Sequence, residues 1–249
     1  MEATLYDADG TDAGTAELPD VFETPYRPDL IRRAFLAAQA NAKQDYGSDE
    51  HAGLRTSAES WGSGRGAAHV PRVKNGNDAA RVPHVRGGRR AHPPQVAEDR
   101  TEGFNDKERR LAVASAVAAT ADADRVAERG HVVDDDAALP VVVDAAFEDV
   151  DRTKDVVAAL EAIGVHGDVA RADEGRNVRA GKGTTRGRTY RTPTSVLFVA
   201  TEEILGARNL PGCDVVDAAS VGVPHLAPGG DPGRLTVWTE PALEVIAER

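Results

Sequence analysis

Two stretches of the chain carry residues of a type and spacing suited to holding a polyanion. Between Trp61 and Ala97 lie Arg65, Arg72, Lys74, Arg81, Arg86, Arg89 and Arg90 against the single acid Asp78, a local charge of +6. Between Arg176 and Arg191 lie Arg176, Arg179, Lys182, Arg186, Arg188 and Arg191 with no acid, again +6. Arginine outnumbers lysine six to one in the first stretch and five to one in the second, with glycines and Trp61 or Tyr190 interleaved. A guanidinium offers a planar fork to phosphate oxygens and stacks on bases, and glycine lets backbone approach backbone. Such a surface suits folded RNA. Pattern alone leaves a second reading open, a flexible polycationic segment with no fixed partner.

Other chemistries find less support. Gly175 to Gly183 superficially suggests a phosphate loop, but five residues separate Gly175 from Gly181, and Gly183 stands where a Ser or Thr should meet magnesium. Gly62, Gly64 and Gly66 form G-x-G-x-G rather than G-x-G-x-x-G, with no strand before them. The seven histidines, His51, His69, His84, His92, His131, His166 and His225, make no metal-binding pair. No G-x-S-x-G turn occurs and no carboxylate pair stands out, and Asp134-Asp135-Asp136 reads as a solvated loop before it reads as a cation site. Cys213, the only cysteine, fits a small buried residue better than a nucleophile. Neither a catalytic residue nor a cofactor or metal of the protein's own is expected, with magnesium or potassium held through RNA left open.

The charge balance bears on the partner. Net charge is −11, a sign that ordinarily argues against nucleic acid. Because the two basic stretches together carry +12, the rest of the chain must carry −23. With 24 Asp and 17 Glu against only 5 Lys, that remainder has the composition of a surface kept hydrated in concentrated salt, and a halophilic cytoplasm is inferred; a merely acidic mesophilic protein is the alternative. No run approaches the roughly 20 apolar residues of a membrane span, and Met1-Glu2-Ala3-Thr4 is no signal sequence, so no membrane partner is expected.

Positioning falls to alternating strands and helices. Ala3 to Tyr6 reads as a strand, and Pro28, Asp29 and the spacing of Leu30, Ile31, Ala34, Phe35 and Ala38 predict a helix to about Ala42. Gln44 to Phe104 then loses all periodicity: about 60 residues of loop, an unusual length inside one domain, with disorder as the plain alternative. Two extended limbs of about 20 residues at roughly 3.3 Å each would reach about 65 Å. Asn105-Asp106-Lys107-Glu108 has the form of a capping box before the helical run Leu111 to Thr120. A helix over Asp122 to Glu128, a buried strand at Val141 to Val143, and a helix from Thr153 to Ile163 stopped by Gly164 come next. Val165 to Val169 reads as strand-like. Beyond the second basic stretch, the pattern gives strands at Ser195 to Ala200, Asp214 to Val216 and Leu235 to Trp238, a short helix near Glu202 to Arg208, and a last helix over Pro241 to Glu248. The expected fold class is α/β, a mainly parallel sheet with helices on both faces, forming one globular domain over residues 1–249 with 44–104 inserted as a long extended basic loop.

Several motifs in order carry a resemblance. Gln44-Asp45-Tyr46-Gly47, Ala52-Gly53-Leu54-Arg55, Trp61-Gly62-Ser63-Gly64-Arg65-Gly66 and Val70-Pro71-Arg72 resemble the loop of the L-four family of large-subunit ribosomal proteins. Arg81-Val82-Pro83 and Arg90-Ala91-His92-Pro93-Pro94 are similar to the returning limb of its archaeal and eukaryotic branch. Asp20-Val21-Phe22, Asn105 to Arg109, Gly181-Lys182-Gly183, Arg186-Gly187-Arg188, Tyr190-Arg191 and Ala207-Arg208-Asn209-Leu210 extend the likeness over the whole chain, and the acidic body resembles haloarchaeal members. Val73 to Ala80 is not matched to the pattern.

The resemblance implies a structural constituent of the large subunit that binds its 23S ribosomal RNA early in assembly and meets neighbouring ribosomal proteins. Its loop would be threaded through the RNA to the nascent-peptide exit tunnel. Trp61, Gly62, Ser63, Gly64 and Arg65 would then form the tip by the tunnel and the nascent peptide. Arg55, His69, Arg72, Arg81, Arg86, Arg89, Arg90 and His92 would contact RNA along the limbs, and Lys182, Arg186, Arg188 and Arg191 would anchor the body. Outside this reading stand a free RNA chaperone or regulator, and an RNA-processing enzyme on the α/β scaffold, which detectable turnover would reveal.

Overall fold

The computed structural model describes residues 1–134 and 137–248. It divides into two compact units, Met1–Gln39 with Glu102–Arg249, and Ala40–Thr101.

The first unit is built on the strands β1 (Glu2–Tyr6), β2 (Asp12–Glu17), β3 (Val141–Val143), β6 (Leu197–Ala200), β7 (Asp214–Asp217) and β8 (Thr236–Thr239), with β4 (Asn177–Val178) and β5 (Tyr190–Arg191) forming a separate hairpin. The six-stranded sheet has the order β2-β1-β3-β8-β6-β7, and every neighbouring pair but β1 with β2 is parallel. Its central strands are short apolar runs because both faces are covered, and side chains of period two divide between them. Val142, Leu197, Val199 and Trp238 pack against one set of helices: α1 (Pro28–Asn41), α2 (Asp106–Ala118), α6 (Val223–Leu226) and α7 (Glu240–Ala247). Val141, Val143, Phe198 and Val237 pack against the other: α3 (Ala123–Glu128), α4 (Thr153–Ile163) and α5 (His166–Glu174). Phe22 meets Trp238 edge-on at 5.5 Å between centroids, and Phe147 stacks on Phe198 at 6.3 Å. The α/β class with helices on both faces is the one expected.

Three local expectations are corrected. Val165 to Val169 is not a strand: Val165, Asp168, Val169 and Ala172 are buried at helical spacing, and the segment turns at once into α5. No helix spans 202–208; Ile204 and Ala207 are buried there in a series of turns, and Gly206 lies so close to the Val150 carbonyl that a Cβ would stand 2.7 Å from it. The Asn105 side chain makes no capping bond, whereas Asp122 caps α3, accepting from the backbone of Asp124 at 3.1 Å and Arg125 at 3.3 Å. Finally, β2 was not foreseen, because Asp12-Ala-Gly-Thr-Ala-Glu17 is a mostly exposed edge strand with little apolar alternation to announce it.

The second unit contains no helix or strand of its own beyond the end of α1, and its chain is organised by backbone pairings. Ser48 donates to the Pro94 carbonyl at 2.9 Å, Glu59 and Arg72 exchange bonds at 3.2 and 3.0 Å, and Ala80 donates to Pro71 at 2.8 Å. Residues 60–71 are thus a closed excursion. A second tight turn, in which Val73 donates to Asp78 at 3.1 Å, shapes residues 73–78. Gly53 has φ +78, and a Cβ on it would lie 2.4 Å from the Gly88 backbone, so glycine is required where these two passes meet.

Candidate nucleic-acid interface

The second basic stretch is shaped by β4 and β5. Asn177 pairs with Arg191 and Val178 with Tyr190, Arg179 donates to the Thr189 carbonyl at 2.8 Å, and a 3-10 segment at Gly181–Arg186 fills the turn. The Arg176 guanidinium lies over the Tyr190 ring, 4.6 Å from its centroid. Lys182, Arg186, Arg188 and Arg191 are exposed, and their side chains have no hydrogen bond or ion pair among the described residues. Sequence reasoning found the charges but not the hairpin, because strands of two residues leave no periodic signal.

In the second unit the expected RNA residues fall into two groups. Arg65, Arg81, Arg86, Arg89, Arg90, His69 and His92 are exposed, and their side chains form no hydrogen bond or ion pair among the described residues. Others are engaged. Arg72 donates to the Asn77 carbonyl at 2.6 Å and lies 5.3 Å from the centroid of Trp61, which Arg65 approaches at 5.9 Å. Trp61 keeps 39% of its surface exposed between these guanidinium groups, beside Gly62, Ser63 and Gly64. Arg55 is paired bidentately with Asp49, and its hydrogen bonds are the largest cause holding the Asp49 carboxyl below its ordinary value. Arg100, which sequence reasoning passed over, ties the ends of the unit together: its Nη2 donates to the carbonyls of Tyr46 at 2.9 Å and Gln95 at 3.1 Å, and its guanidinium stands 4.3 Å from the Tyr46 ring centroid. Its position 54 residues from Tyr46 in sequence hid the pairing.

Two carboxylates in the first unit hold clusters that resemble catalytic sites in composition but not in arrangement. The buried Asp168 accepts from Ser195 Oγ at 2.7 Å, meets His131 Nδ1 at 3.0 Å, and takes Val132 N and Arg171 Nε at 3.0 and 2.8 Å. In a nucleophilic triad the imidazole stands between hydroxyl and carboxylate. Here both converge on the carboxylate, leaving no base for the serine. Glu148 lies by the carboxyl ends of the parallel strands, where open α/β sheets bind ligands. It occupies that position with bonds from Thr239 Oγ1 at 2.5 Å, Thr201 Oγ1 at 2.7 Å, and the Thr201 and Glu202 amides at 2.9 and 3.0 Å. Burial works against its ionisation, but these hydrogen bonds outweigh it and hold its pKa below the ordinary value. Burial also pushes the Cys213 thiol up to about 12, which makes it inert as a nucleophile. Among the described residues no three His, Cys, Asp or Glu side chains are grouped to hold a metal, and no helix is long and apolar enough to cross a membrane. Two of the three aspartates at 134–136 lie outside the described residues.

A family model described as ribosomal protein L4/L1 matches residues 16–249. The chain belongs to that family. Proteins described as large ribosomal subunit protein uL4 align over its full length: that of Halobacterium salinarum is 59% identical with 100% of each chain covered, and that of Haloarcula marismortui is 60% identical with the same coverage. That of Methanopyrus kandleri is 52% identical, covering 100% of this chain and 99% of its own. The resemblance carried by the Trp61 to Arg72 and Gly181 to Arg191 motifs therefore holds over the whole sequence, and the chain is a ribosomal protein, not an enzyme.

Proposed function

We propose that this chain is a structural constituent of the large ribosomal subunit in the cytoplasm, binding that subunit's RNA through residues 44–104 and the hairpin at 176–191. The observation that carries the reading is the set of exposed arginines whose side chains form no hydrogen bond or ion pair among the described residues, Arg65, Arg81, Arg86, Arg89 and Arg90 in one unit and Arg186, Arg188 and Arg191 in the other, in a chain whose remaining residues are strongly acidic. Phosphate oxygens supply the missing acceptors, and bases supply planes for Trp61 and the guanidinium groups. On the RNA, residues 44–104 extend as a loop, with Trp61 to Arg65 at its tip by the exit tunnel and the nascent peptide. Fixing the backbone costs about 1–2 kcal/mol per residue, which favours binding early in assembly, while the RNA can still close around the loop. Neighbouring large-subunit proteins complete its surroundings.

Sedimentation of cell extract in molar potassium chloride with magnesium tests this. The protein is expected to travel with the large subunit and to resist high-salt washing. Recovery as a free monomer at the top of the gradient would reject the proposal and favour a free regulator or chaperone.

A further inference from the structure

One cleft in the first unit is unusual for an acidic body. It encloses about 500 Å³, within the range of small-ligand sites, and four of its lining residues are Arg125, Arg129, Arg171 and Arg191 against two acids. Arg129 is the informative one. Its guanidinium donates to the carbonyls of Asp231 and, at 2.7 Å, Pro228, both neutral acceptors, and it forms no ion pair among the described residues. A half-buried cation is thereby fixed in place with no carboxylate bound to it. Beside it Arg171 is held by Asp168 at 2.8 Å and by the Thr194 carbonyl at 2.8 Å, so its direction is set as well. The wall opposite in character is Tyr26, 38% exposed, with the Arg125 guanidinium 4.2 Å from its ring centroid. Fixed cations next to a planar stack recognise a phosphate joined to a planar ring. Arg191 belongs both to this cleft and to β5, so the cleft is continuous with the basic hairpin.

Resting on the proposed RNA-binding reading, we infer that this cleft takes a single unstacked nucleotide of the RNA that lies on the hairpin, with its phosphate at Arg129 and Arg171 and its base on Tyr26. An acidic peptide is the less suitable occupant, because point charges would satisfy it and the Tyr26–Arg125 platform would have no role. Burial, the largest influence on Arg129, pushes its pKa down, and a bound phosphate would relieve that cost.

The test uses the full chain and purified large-subunit RNA in molar potassium chloride with magnesium, reading affinity and chemical modification of the bases. Tyr26→Ala and Arg129→Gln are expected to weaken binding about tenfold and to expose one isolated base, while Tyr26→Phe retains that protection. Replacing Arg186 and Arg188 by Ala should instead open the hairpin's footprint and leave the isolated base protected. Because Tyr26 is at the surface, its variant keeps the test valid if the Arg129 variant fails to fold. If wild-type protein binds and the Tyr26→Ala variant matches it in affinity and footprint, the cleft assignment is overturned while the RNA-binding proposal stands. Absence of RNA binding by wild-type protein would instead reject that proposal itself. Polyglutamate bound in a Tyr26-dependent way with no change in RNA footprint would overturn the inference in favour of an acidic peptide, and adenosine monophosphate bound as tightly as the RNA would do so in favour of a free nucleotide.

Discussion

Asp168 illustrates how a residue can be central to the structure and invisible in the sequence. It is one of 24 aspartates, and its importance comes from His131, Arg171 and Ser195, two of which lie far from it along the chain. Burial opposes its ionisation, but hydrogen bonds from His131, Arg171 and Ser195 prevail and place its pKa well below the ordinary aspartate value of 3.8. A carboxyl whose folded pKa is depressed contributes stability that is fully present above the unfolded value and is lost as pH falls through and below it. Removing it would strand a buried imidazole and hydroxyl and leave Arg171 without its anchor. Asp168→Ala is therefore expected to lower the unfolding free energy by about 3–5 kcal/mol in denaturant titration at constant salt. Asp168→Asn should also flatten the decline of stability below about pH 4. An Ala variant as stable as wild type would show that the cluster contributes nothing net.

Among the elements, those with long apolar periodicity were legible and those defined by pairing were not. α1, α4 and the runs at 141–143 and 235–238 stood out because burial on one or both faces imposes a pattern on the side chains. The hairpin of β4 and β5, the edge strand β2 and the Arg100 tie have no such pattern, since backbone bonds and one guanidinium hold them. The pattern predicts a strand over Val165 to Val169 where α5 lies, because the polar Asp168, which is buried, interrupts the apolar face of that helix. Residues 44–104 were recognised as non-periodic, and both core clusters draw their buried members from outside 40–101. Deleting 61–90 is accordingly expected to leave one cooperative thermal transition with Tm within about 4 °C of wild type, the shift that about 1 kcal/mol produces in a chain of this size. A broad, non-cooperative melt would mean that the first unit depends on the second.

For the molecule as a whole, charge was the most legible property, because it adds along the sequence whatever the fold. The candidate RNA residues were found this way, while the cleft around Arg129 was not, as it gathers side chains from five separate segments. The same segregation of charge makes salt part of the structure. With −23 outside the basic stretches, the folded chain repels itself, and the exposed ion pairs at its surface, such as Arg27 with Asp29 or Arg109 with Asp106, offset little of this. Screening extends over about 10 Å at 0.1 M salt and about 3 Å at 1 M, so repulsion between neighbouring acids persists in the first condition and is largely removed in the second. Tm of the free protein is therefore expected to rise by more than about 4 °C between about 0.1 and 1 M potassium chloride. Equal or lower stability at 1 M would show that self-repulsion is not what limits this fold, and that the acidic surface is not an adaptation to concentrated salt. The RNA-bound state should respond in the opposite sense, since counterion release from phosphates weakens as salt rises, and only directed contacts from arginine and stacking on Trp61 or Tyr26 would keep the complex together under the conditions that stabilise the free protein.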